Sequence, residues 1–156
     1  MPGRIVLHSD GEGCTADLAA RLAACLSAGD VVALTGDLGT GKTRFVEGAA
    51  RALGYAGRVR SPSFTLLHVY RGRLALFHFD LYRWTPDDRE AERAEWEEYL
   101  EGDGVTFLEW AERWGGELPE RTVHVRLFHE GECRRRIEIT GPEEKLEKLR
   151  EVEGAS

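Results

Sequence analysis

The residues with the most specific chemical signature lie in the segment GDLGTGKT, residues 36–43. Its glycines at 36 and 41, with Lys42 and Thr43, match the pattern G-x-x-x-x-G-K-[ST] of a phosphate-binding loop, or P-loop. Glycines let such a loop wrap closely, so that backbone N–H groups and the positive end of the following helix point at phosphate oxygens. The lysine binds the β- and γ-phosphates, and the threonine hydroxyl reaches Mg²⁺. The predicted nucleotide-binding residues are Gly36, Asp37, Leu38, Gly39, Thr40, Gly41, Lys42 and Thr43.

Two carboxylates that end predicted strands are candidates for binding the metal and for activating water. Asp80 follows the apolar run Leu74–Phe79, and a P-loop usually takes a second magnesium ligand from an acid at the end of a neighbouring buried strand. We interpret Asp80 as that ligand, with a helix cap or turn residue as the alternative. Glu109 ends the run TFLE and is the best candidate to lie at the metal and polarise the attacking water. The alternative for Glu109 is a surface acid among many.

Some residue types are absent or rare, which excludes certain mechanisms. The sequence contains neither asparagine nor glutamine, and only three of its 21 basic residues are lysines. A GTPase that reads guanine through an Asn-Lys-x-Asp loop is therefore excluded, as is a glutamine that orients the attacking water. Because arginine supplies nearly every other cation, the lysine at position 42 indicates that a compact ammonium group matters there. Lys42 and Glu109 are accordingly the predicted catalytic residues.

The elements around the loop are those that a P-loop requires, with a buried strand before it and a helix after it. The apolar run VVAL within Asp30–Thr35 predicts the strand, and apolar residues at helical spacing predict a helix from about Gly41 to Leu53. An earlier helix is predicted to begin near Thr15 as its N-cap and to end at Gly29. Further strands are predicted at Arg4–Ser9, Phe64–Tyr70, Arg73–Phe79, Val105–Trp110, Thr122–His129 and Cys133–Thr140.

These elements together predict an α/β fold of the P-loop NTPase type, formed by a single domain over residues 1–156. We expect a central, mostly parallel sheet with helices on both faces, together with antiparallel hairpins. The charged range Thr85–Leu100 indicates an exposed helical connection, and residues 143–156 indicate a C-terminal helix and tail. The three cysteines match no zinc or redox spacing, and no chemistry is assigned to them.

Charge limits the possible partners, because 21 basic residues stand against 28 acidic ones and the net charge is −7. Nonspecific binding to nucleic acid needs an excess of Lys and Arg, so independent nucleic-acid binding is not expected. The acidity is local. Residues 87–120 contain 13 acidic and three basic residues, whereas residues 44–83 contain two acidic and seven basic residues. The acidic range is typical of a solvated helix face, with a docking surface as the alternative.

Without a signal sequence or an apolar run of about 20 residues, we expect a cytoplasmic protein with no membrane segment.

Four strings occur in an order that matches a known family. They are GDLGTGKT at 36–43, SPSFTL at 61–66, HFDLYR at 78–83 and LEW at 108–110. The chain resembles the TsaE (YjeE) family, the ATPase component of the bacterial machinery that forms N6-threonylcarbamoyladenosine at position 37 of tRNAs reading ANN codons. The resemblance runs from the first helix to about Trp110. Two departures are Ser63 in place of the usual Thr and Ala111 in place of a common Pro.

The resemblance implies a role for each motif residue and for the whole protein. Lys42 and Thr43 would hold phosphate and Mg²⁺, Asp80 would be the Walker B-like acid, and Glu109 would lie at the metal or the water. ATP would be the substrate of a weak hydrolase that acts on the TsaB–TsaD heterodimer. The protein would reach tRNA only through that complex.

Five further residues receive roles only through the resemblance. Ser61 and Thr65 would lie on a switch-like loop that senses the γ-phosphate. The family's functional surface beside the nucleotide would include Tyr82, Arg83 and Trp110. From the residues alone, the two aromatics would be core or interface side chains, and the serine a turn residue.

His78 alternates with Phe77 and Phe79, which is more typical of a packed strand histidine than of a ligand.

Two other functions stay open alongside the ATPase. A small-molecule kinase would need an Arg-rich lid, whereas the only long insertion candidate, Asp87–Glu101, is mostly acidic. A nucleotide-gated scaffold without useful hydrolysis would make Glu109 structural.

Overall fold

In a computed structural model of the chain, residues 2–37, 39–59, 67–82 and 96–154 are described. Within these ranges the strands are β1 (Pro2–Ser9), β2 (Val31–Gly36), β3 (Leu67–Tyr70), β4 (Leu76–Asp80), β5 (Val105–Glu109), β6 (Val123–His129) and β7 (Arg135–Pro142). The helices are α1 (Glu12–Ala23), α2 (Lys42–Ala52) and α3 (Glu143–Gly154). A helical segment at 96–100 and a short 3-10 helix at Ala111–Arg113 complete the set.

The seven strands form one mixed sheet in the order β1-β7-β6-β2-β5-β4-β3. Its centre is parallel, because β2 pairs in parallel with both β5 and β6, and β5 pairs in parallel with β4. The flanks are antiparallel, with β3 against β4 at one end and β6, β7 and β1 at the other. The predicted α/β fold with a mostly parallel centre and antiparallel hairpins is confirmed.

The parallel register brings the functional ends of three strands together. In the pairing of β2 with β5, Leu34 lies opposite Glu109, and in the pairing of β4 with β5, Asp80 lies opposite Glu109. Parallel strands end at the same edge of a sheet, where open α/β folds bind their ligands. The loop after β2 therefore begins beside both predicted carboxylates.

Apolar residues cover both faces of the sheet, as the fold class requires. On one face α1, α2 and α3 pack over the strands, with Leu22, Phe45 and Leu149 fully buried or nearly so. On the other face the segment 96–100 and the residues after β5 cover the sheet, and Trp114 packs there with Phe79. The three larger helices thus lie on one face of the sheet, and α2 follows directly from the loop that begins at the end of β2.

The first helix differs from its prediction at both ends. It begins at Glu12, and Thr15 is an interior residue whose N–H donates to the carbonyl of Gly11 and whose hydroxyl lies 2.7 Å from the Ser9 hydroxyl. The prediction of Thr15 as N-cap was wrong because its hydroxyl binds the end of β1 instead. The helix ends at Ala23, and Gly29, with φ of +90°, donates its N–H to Gly104 in the turn into β2.

Two predicted elements are described only in part. The strand predicted at Phe64–Tyr70 is described from Leu67, and only the end of the predicted helix at Thr85–Leu100 is described, where residues 96–100 are helical. Across the ranges that the structure describes, no helix combines the length and the apolar character needed to cross a bilayer.

Two glycines give a matched test of how closely α1 and α2 pack. A Cβ at Gly48 in α2 would lie 2.1 Å from the carbonyl oxygen of Ala16 in α1, whereas a Cβ at Gly13 would meet nothing within 4 Å. We expect Gly48→Ala to lower the free energy of unfolding by at least about 2 kcal/mol through overpacking. Gly13→Ala should raise it by about 0.5–1 kcal/mol, because alanine favours the helix.

The measurement is urea unfolding of the parent and of each single variant, monitored by circular dichroism. Each substitution adds one methyl group to a helix. Opposite changes in the free energy of unfolding would therefore identify the contact between α1 and α2 as the cause of the destabilisation. Equal stability of the two variants would contradict the described packing of α1 against α2.

Candidate functional site

The loop between β2 and α2 has a backbone that the motif glycines make possible. Gly36 and Gly41 have φ angles of +149° and +102°, a region that L-side chains rarely adopt. Space is also limiting at Gly36, where a Cβ would lie 2.7 Å from the carbonyl oxygen of Leu127 on β6 and 2.8 Å from the Thr40 hydroxyl. The hydroxyl of Thr40 in turn donates to the carbonyl of Asp37. The loop is therefore tightly folded and lies directly against β6.

Lys42 is the first residue of α2, and its ammonium group is folded back under the loop. Its Nζ donates to the carbonyl oxygens of Gly36 at 2.6 Å and Asp37 at 3.1 Å, and the side chain is almost fully buried. Burial lowers the pKa of Lys42, while Glu109 and three other nearby carboxylates oppose that shift. Nζ also lies 4.1 Å from the ring centroid of Trp110. The buried ammonium group of Lys42 therefore lies at the position where the P-loop motif requires a lysine.

The two predicted acids and the motif threonine meet beside this lysine. The Thr43 hydroxyl donates to Oε1 of Glu109 at 3.1 Å, and Glu109 is only 2% exposed. The alternative of a surface acid is therefore wrong for Glu109. Asp80 is 9% exposed, and its Oδ1 accepts the N–H of Tyr82 at 3.0 Å, so its carboxylate also shapes the turn after β4.

A cavity of about 310 Å³ opens onto these groups. Its lining includes Lys42, Thr43, Asp80, Glu109 and Trp110. Within the described ranges no three His, Cys, Asp or Glu side chains form a metal cluster. Mg²⁺ in nucleotide sites is commonly held by one or two carboxylates together with phosphate oxygens and water. The hydroxyl and two carboxylates present here fit such an ion, and the loop and lysine fit a polyphosphate.

An aromatic and cationic group borders the same cavity. Trp110 follows β5 with a left-handed backbone at φ of +57°, which is uncommon for a bulky residue. Its ring centroid lies 5.0 Å from that of Tyr82, which is 45% exposed, and Arg113 lies within 6 Å of both rings. The structure thus brings Tyr82 and Trp110 together as expected for one surface and adds Arg113, which the sequence did not single out.

Four of the predicted site residues fall outside the described ranges. They are Leu38, Ser61, Thr65 and Arg83. Their proposed roles in the loop, the switch and the functional surface therefore stay predictions.

A second cavity, of about 230 Å³, lies on the other side of the loop. Its lining includes Gly39 and Gly41, Thr15 of α1, and Cys133 in the turn between β6 and β7. Gly39, Gly41, Glu12 and Arg44 line both cavities, so the two spaces meet at the loop. The sequence did not reveal this cavity, because its wall is built from segments that lie far apart along the chain.

Arg135, the first residue of β7, supports the loop from behind. Its Nε donates to the carbonyl of Thr40 and its Nη2 to the carbonyl of Gly39, both at 3.1 Å. Its Nη1 donates to carbonyl oxygens at Gly131, Glu132 and Arg134 in the preceding turn. One guanidinium group therefore ties the β6–β7 turn to the loop, and no local motif distinguishes it from the other arginines.

Comparisons with known proteins point to one family. The family model described as "Threonylcarbamoyl adenosine biosynthesis protein TsaE" matches residues 9–137. A protein of Bacillus subtilis (strain 168) named tRNA threonylcarbamoyladenosine biosynthesis protein TsaE is 38% identical over 136 residues, covering 86% of this chain and 84% of the relative. A protein of the same name from Treponema pallidum is 46% identical over 102 residues, covering 65% of this chain and 75% of the relative.

The fold is also similar to a solved structure. The crystal structure of Bacillus subtilis YdiB matches with a TM-score of 0.85 and 31% sequence identity, and the match covers 98% of each chain. The similarity thus extends through the antiparallel flank and α3, beyond the part of the sequence that carries the motifs.

The contacts of Arg135 predict how far the loop depends on it. We expect Arg135→Ala to speed amide hydrogen exchange at Thr40 and Gly41 by about tenfold or more, because two charged hydrogen bonds to the loop are lost. Arg134→Ala is the matched control, since Arg134 is largely exposed and its guanidinium pairs with Asp10. Exchange measured by mass spectrometry on both variants provides the comparison, and equal loop protection in Arg135→Ala and the parent would refute the supporting role.

Proposed function

The chain belongs to the TsaE family of threonylcarbamoyl adenosine biosynthesis proteins, and from this premise we propose that it binds ATP and Mg²⁺ and hydrolyses ATP weakly. The family predicted from the sequence motifs is confirmed by these relatives. The observation that carries the proposal is the meeting of Lys42, Thr43, Asp80 and Glu109 around one cavity beside the glycine loop. Two acids, a hydroxyl and a buried cation are the groups that a magnesium nucleotide requires.

In the proposed binding step the ammonium of Lys42 exchanges backbone partners for phosphate oxygens. In the free protein Nζ donates to the carbonyls of Gly36 and Asp37. Because the side chain is already desolvated, its attraction to a phosphate is stronger than it would be in water. Burial lowers the pKa of this lysine, and a bound anion would oppose that shift by favouring the charged form.

The two carboxylates would have separate tasks. Thr43 and Asp80 would hold Mg²⁺, which would neutralise charge on the phosphates. Glu109 would lie at the metal and orient the attacking water, with its buried carboxylate held on one oxygen by the Thr43 hydroxyl. No glutamine exists in the chain to take this role.

The second cavity provides room for the nucleoside end of the substrate. It meets the phosphate cavity at the glycines of the loop, so a molecule bound along the loop would extend from Glu109 on one side to Thr15 on the other. The loop amides and the N-terminus of α2 lie between the two spaces, where a phosphate chain would pass.

We place the proposed activity in formation of N6-threonylcarbamoyladenosine at position 37 of tRNAs that read ANN codons, in the cytoplasm. In this proposal the protein acts on a TsaB–TsaD heterodimer and reaches tRNA through that complex. The names of the relatives support the pathway. The exposed Tyr82 beside Trp110 and Arg113 supports contact with a partner next to the nucleotide. The net charge of −7 argues against independent binding to tRNA.

Substitutions in the site should separate binding from turnover. Lys42→Ala should weaken ATP binding by at least about tenfold, because a buried charged group no longer meets the phosphates. Glu109→Gln should leave the affinity within about threefold and slow phosphate release by about 100-fold, because it keeps the shape but loses the charge that polarises water.

Isothermal titration with ATP and Mg²⁺ measures the affinity, and a phosphate-release assay measures turnover. Lys148→Ala, which removes an exposed lysine of α3, is the matched control and should match the parent in both assays. Unchanged turnover in Glu109→Gln would remove the catalytic assignment.

A second experiment tests the partners and the competing functions. ADP formation and phosphate release are both measured for the protein alone, with TsaB and TsaD, and with candidate small-molecule acceptors. Modified nucleoside in tRNA is quantified in parallel. We expect slow release alone, faster release with both partners, and modified tRNA only when this protein is present. ADP formation that rises only with an acceptor and without matching phosphate release would instead identify a kinase, because the γ-phosphoryl group then goes to the acceptor. Modification without any hydrolysis would identify a nucleotide-gated scaffold.

A further inference from the structure

His78 lies in the middle of β4 and is fully buried. Packing alone does not account for it, because burying an imidazole without hydrogen-bond partners costs free energy that a leucine would not. One edge of the ring faces the candidate catalytic carboxylate, with Nε2 3.5 Å from Oε2 of Glu109. At the other edge Nδ1 lies 3.2 Å from the hydroxyl of Tyr70. The histidine thus stands between a tyrosine and the acid.

The surroundings of the ring select one tautomer. A neutral imidazole has one N–H donor and one acceptor nitrogen. A proton on Nδ1 would leave the lone pair of Nε2 facing the Glu109 carboxylate, and two acceptors in a buried site repel each other. A proton on Nε2 points an N–H at the carboxylate, while Nδ1 accepts from the Tyr70 hydroxyl. That hydroxyl also lies 3.4 Å from Nδ1 of His68, which is farther than its distance to His78.

The distance from Nε2 of His78 to Oε2 of Glu109 is slightly longer than that of an ordinary hydrogen bond. Within the described part of the chain Nε2 of His78 makes no hydrogen bond of normal geometry, although it is fully buried. Hydrogen bonds in ligand-free active sites are often long and shorten when substrate binds. The opposite carboxylate oxygen is already fixed, because Oε1 of Glu109 accepts from the Thr43 hydroxyl at 3.1 Å.

We propose that His78 is a positioning residue for ATP hydrolysis, and that its Nε2–H donates to Oε2 of Glu109 and fixes the carboxylate that orients water. Two donors, one on each oxygen, prevent the carboxylate from rotating away from the metal and water positions. This inference rests on the proposed function, since it assigns His78 to the same reaction. The histidine is fully buried and does not line the cavity beside the loop, so it acts only through Glu109.

Substitution at His78 should therefore change turnover without changing nucleotide binding. His78→Leu, which keeps similar volume and loses the donor, should lower kcat by about tenfold or more while KM for ATP stays within about threefold. His78→Gln retains an amide N–H near the Nε2 position, and it should keep kcat within about threefold of the parent. Equal loss in both variants, or a loss confined to KM, would indicate a structural role and overturn the proposal.

A double substitution tests whether His78 acts through the acid. Once Glu109→Gln has removed the charge, adding His78→Leu should slow the reaction by no more than about twofold, because the two residues form one unit. Multiplicative losses would show that the histidine acts elsewhere. Circular dichroism of each variant checks that it is folded.

The tautomer of His78 provides a readout that does not depend on ATP hydrolysis. Long-range ¹H–¹⁵N correlation spectra of the labelled full chain distinguish a proton on Nε2 from one on Nδ1. We expect the Nε2–H form for His78 and a shift of its resonances in Glu109→Gln. Tyr70→Phe removes the partner of Nδ1 and should also change the spectrum. A ring that carries its proton on Nδ1 and none on Nε2 would overturn the proposal even if ATP is hydrolysed.

Failure of the proposed ATPase and failure of the proposed hydrogen bond from His78 to Glu109 can be distinguished. If the parent releases no phosphate in any mixture, the proposed ATPase fails, and with it any role of His78 in turnover. The spectra then still decide whether the histidine donates to Glu109.

Discussion

Parallel pairing of β2, β5 and β4 is the constraint on which the site depends. It sets Leu34, Glu109 and Asp80 side by side, so that the loop after β2 opens next to two carboxylates. Side chains alternate between the faces of a strand, so a shift of one residue in register would move Glu109 from the site to the opposite face. The side chains packed on both faces of these strands oppose such a shift, because residues of different size and shape would exchange faces and leave voids or overlaps in the core. The packing that stabilises the fold therefore also fixes the geometry of the site.

The same arrangement concentrates charge in a small volume. Lys42 lies near four carboxylates, those of Glu109, Glu112, Asp80 and Asp37, and its ammonium is removed from water. In the free protein this charge is balanced by backbone carbonyls and by the face of Trp110. Glu109 and Asp80 are buried, so a phosphate chain placed beside them would be repelled unless a cation accompanied it. Under the proposed function, this charge balance would favour a nucleotide that arrives with its metal over a bare one.

Most of the fold and the centre of the site could be predicted from local sequence. The P-loop motif and the apolar strands are short-range patterns, so Lys42 was assigned from its neighbours and Glu109 from the end of its strand. Predictions were wrong or incomplete where the deciding contact is remote. The prediction of Thr15 as an N-cap is wrong because the sequence does not show that its hydroxyl meets that of Ser9. Arg135 carried no signal, because its partners depend on how β7 meets the loop.

The edge strand β1 has a consequence for the order of assembly. It pairs only with β7 among the described strands, and in that pairing Pro2 lies opposite Pro142. Bringing together residues so far apart along the chain carries the largest loop-closure entropy of any strand pair in the sheet. Until β7 is in place, β1 has no neighbour, and the backbone of β7 that it will cover is an open edge able to pair with another chain. The antiparallel flank, rather than the glycine loop between β2 and α2, is therefore the part most exposed to misassembly during synthesis.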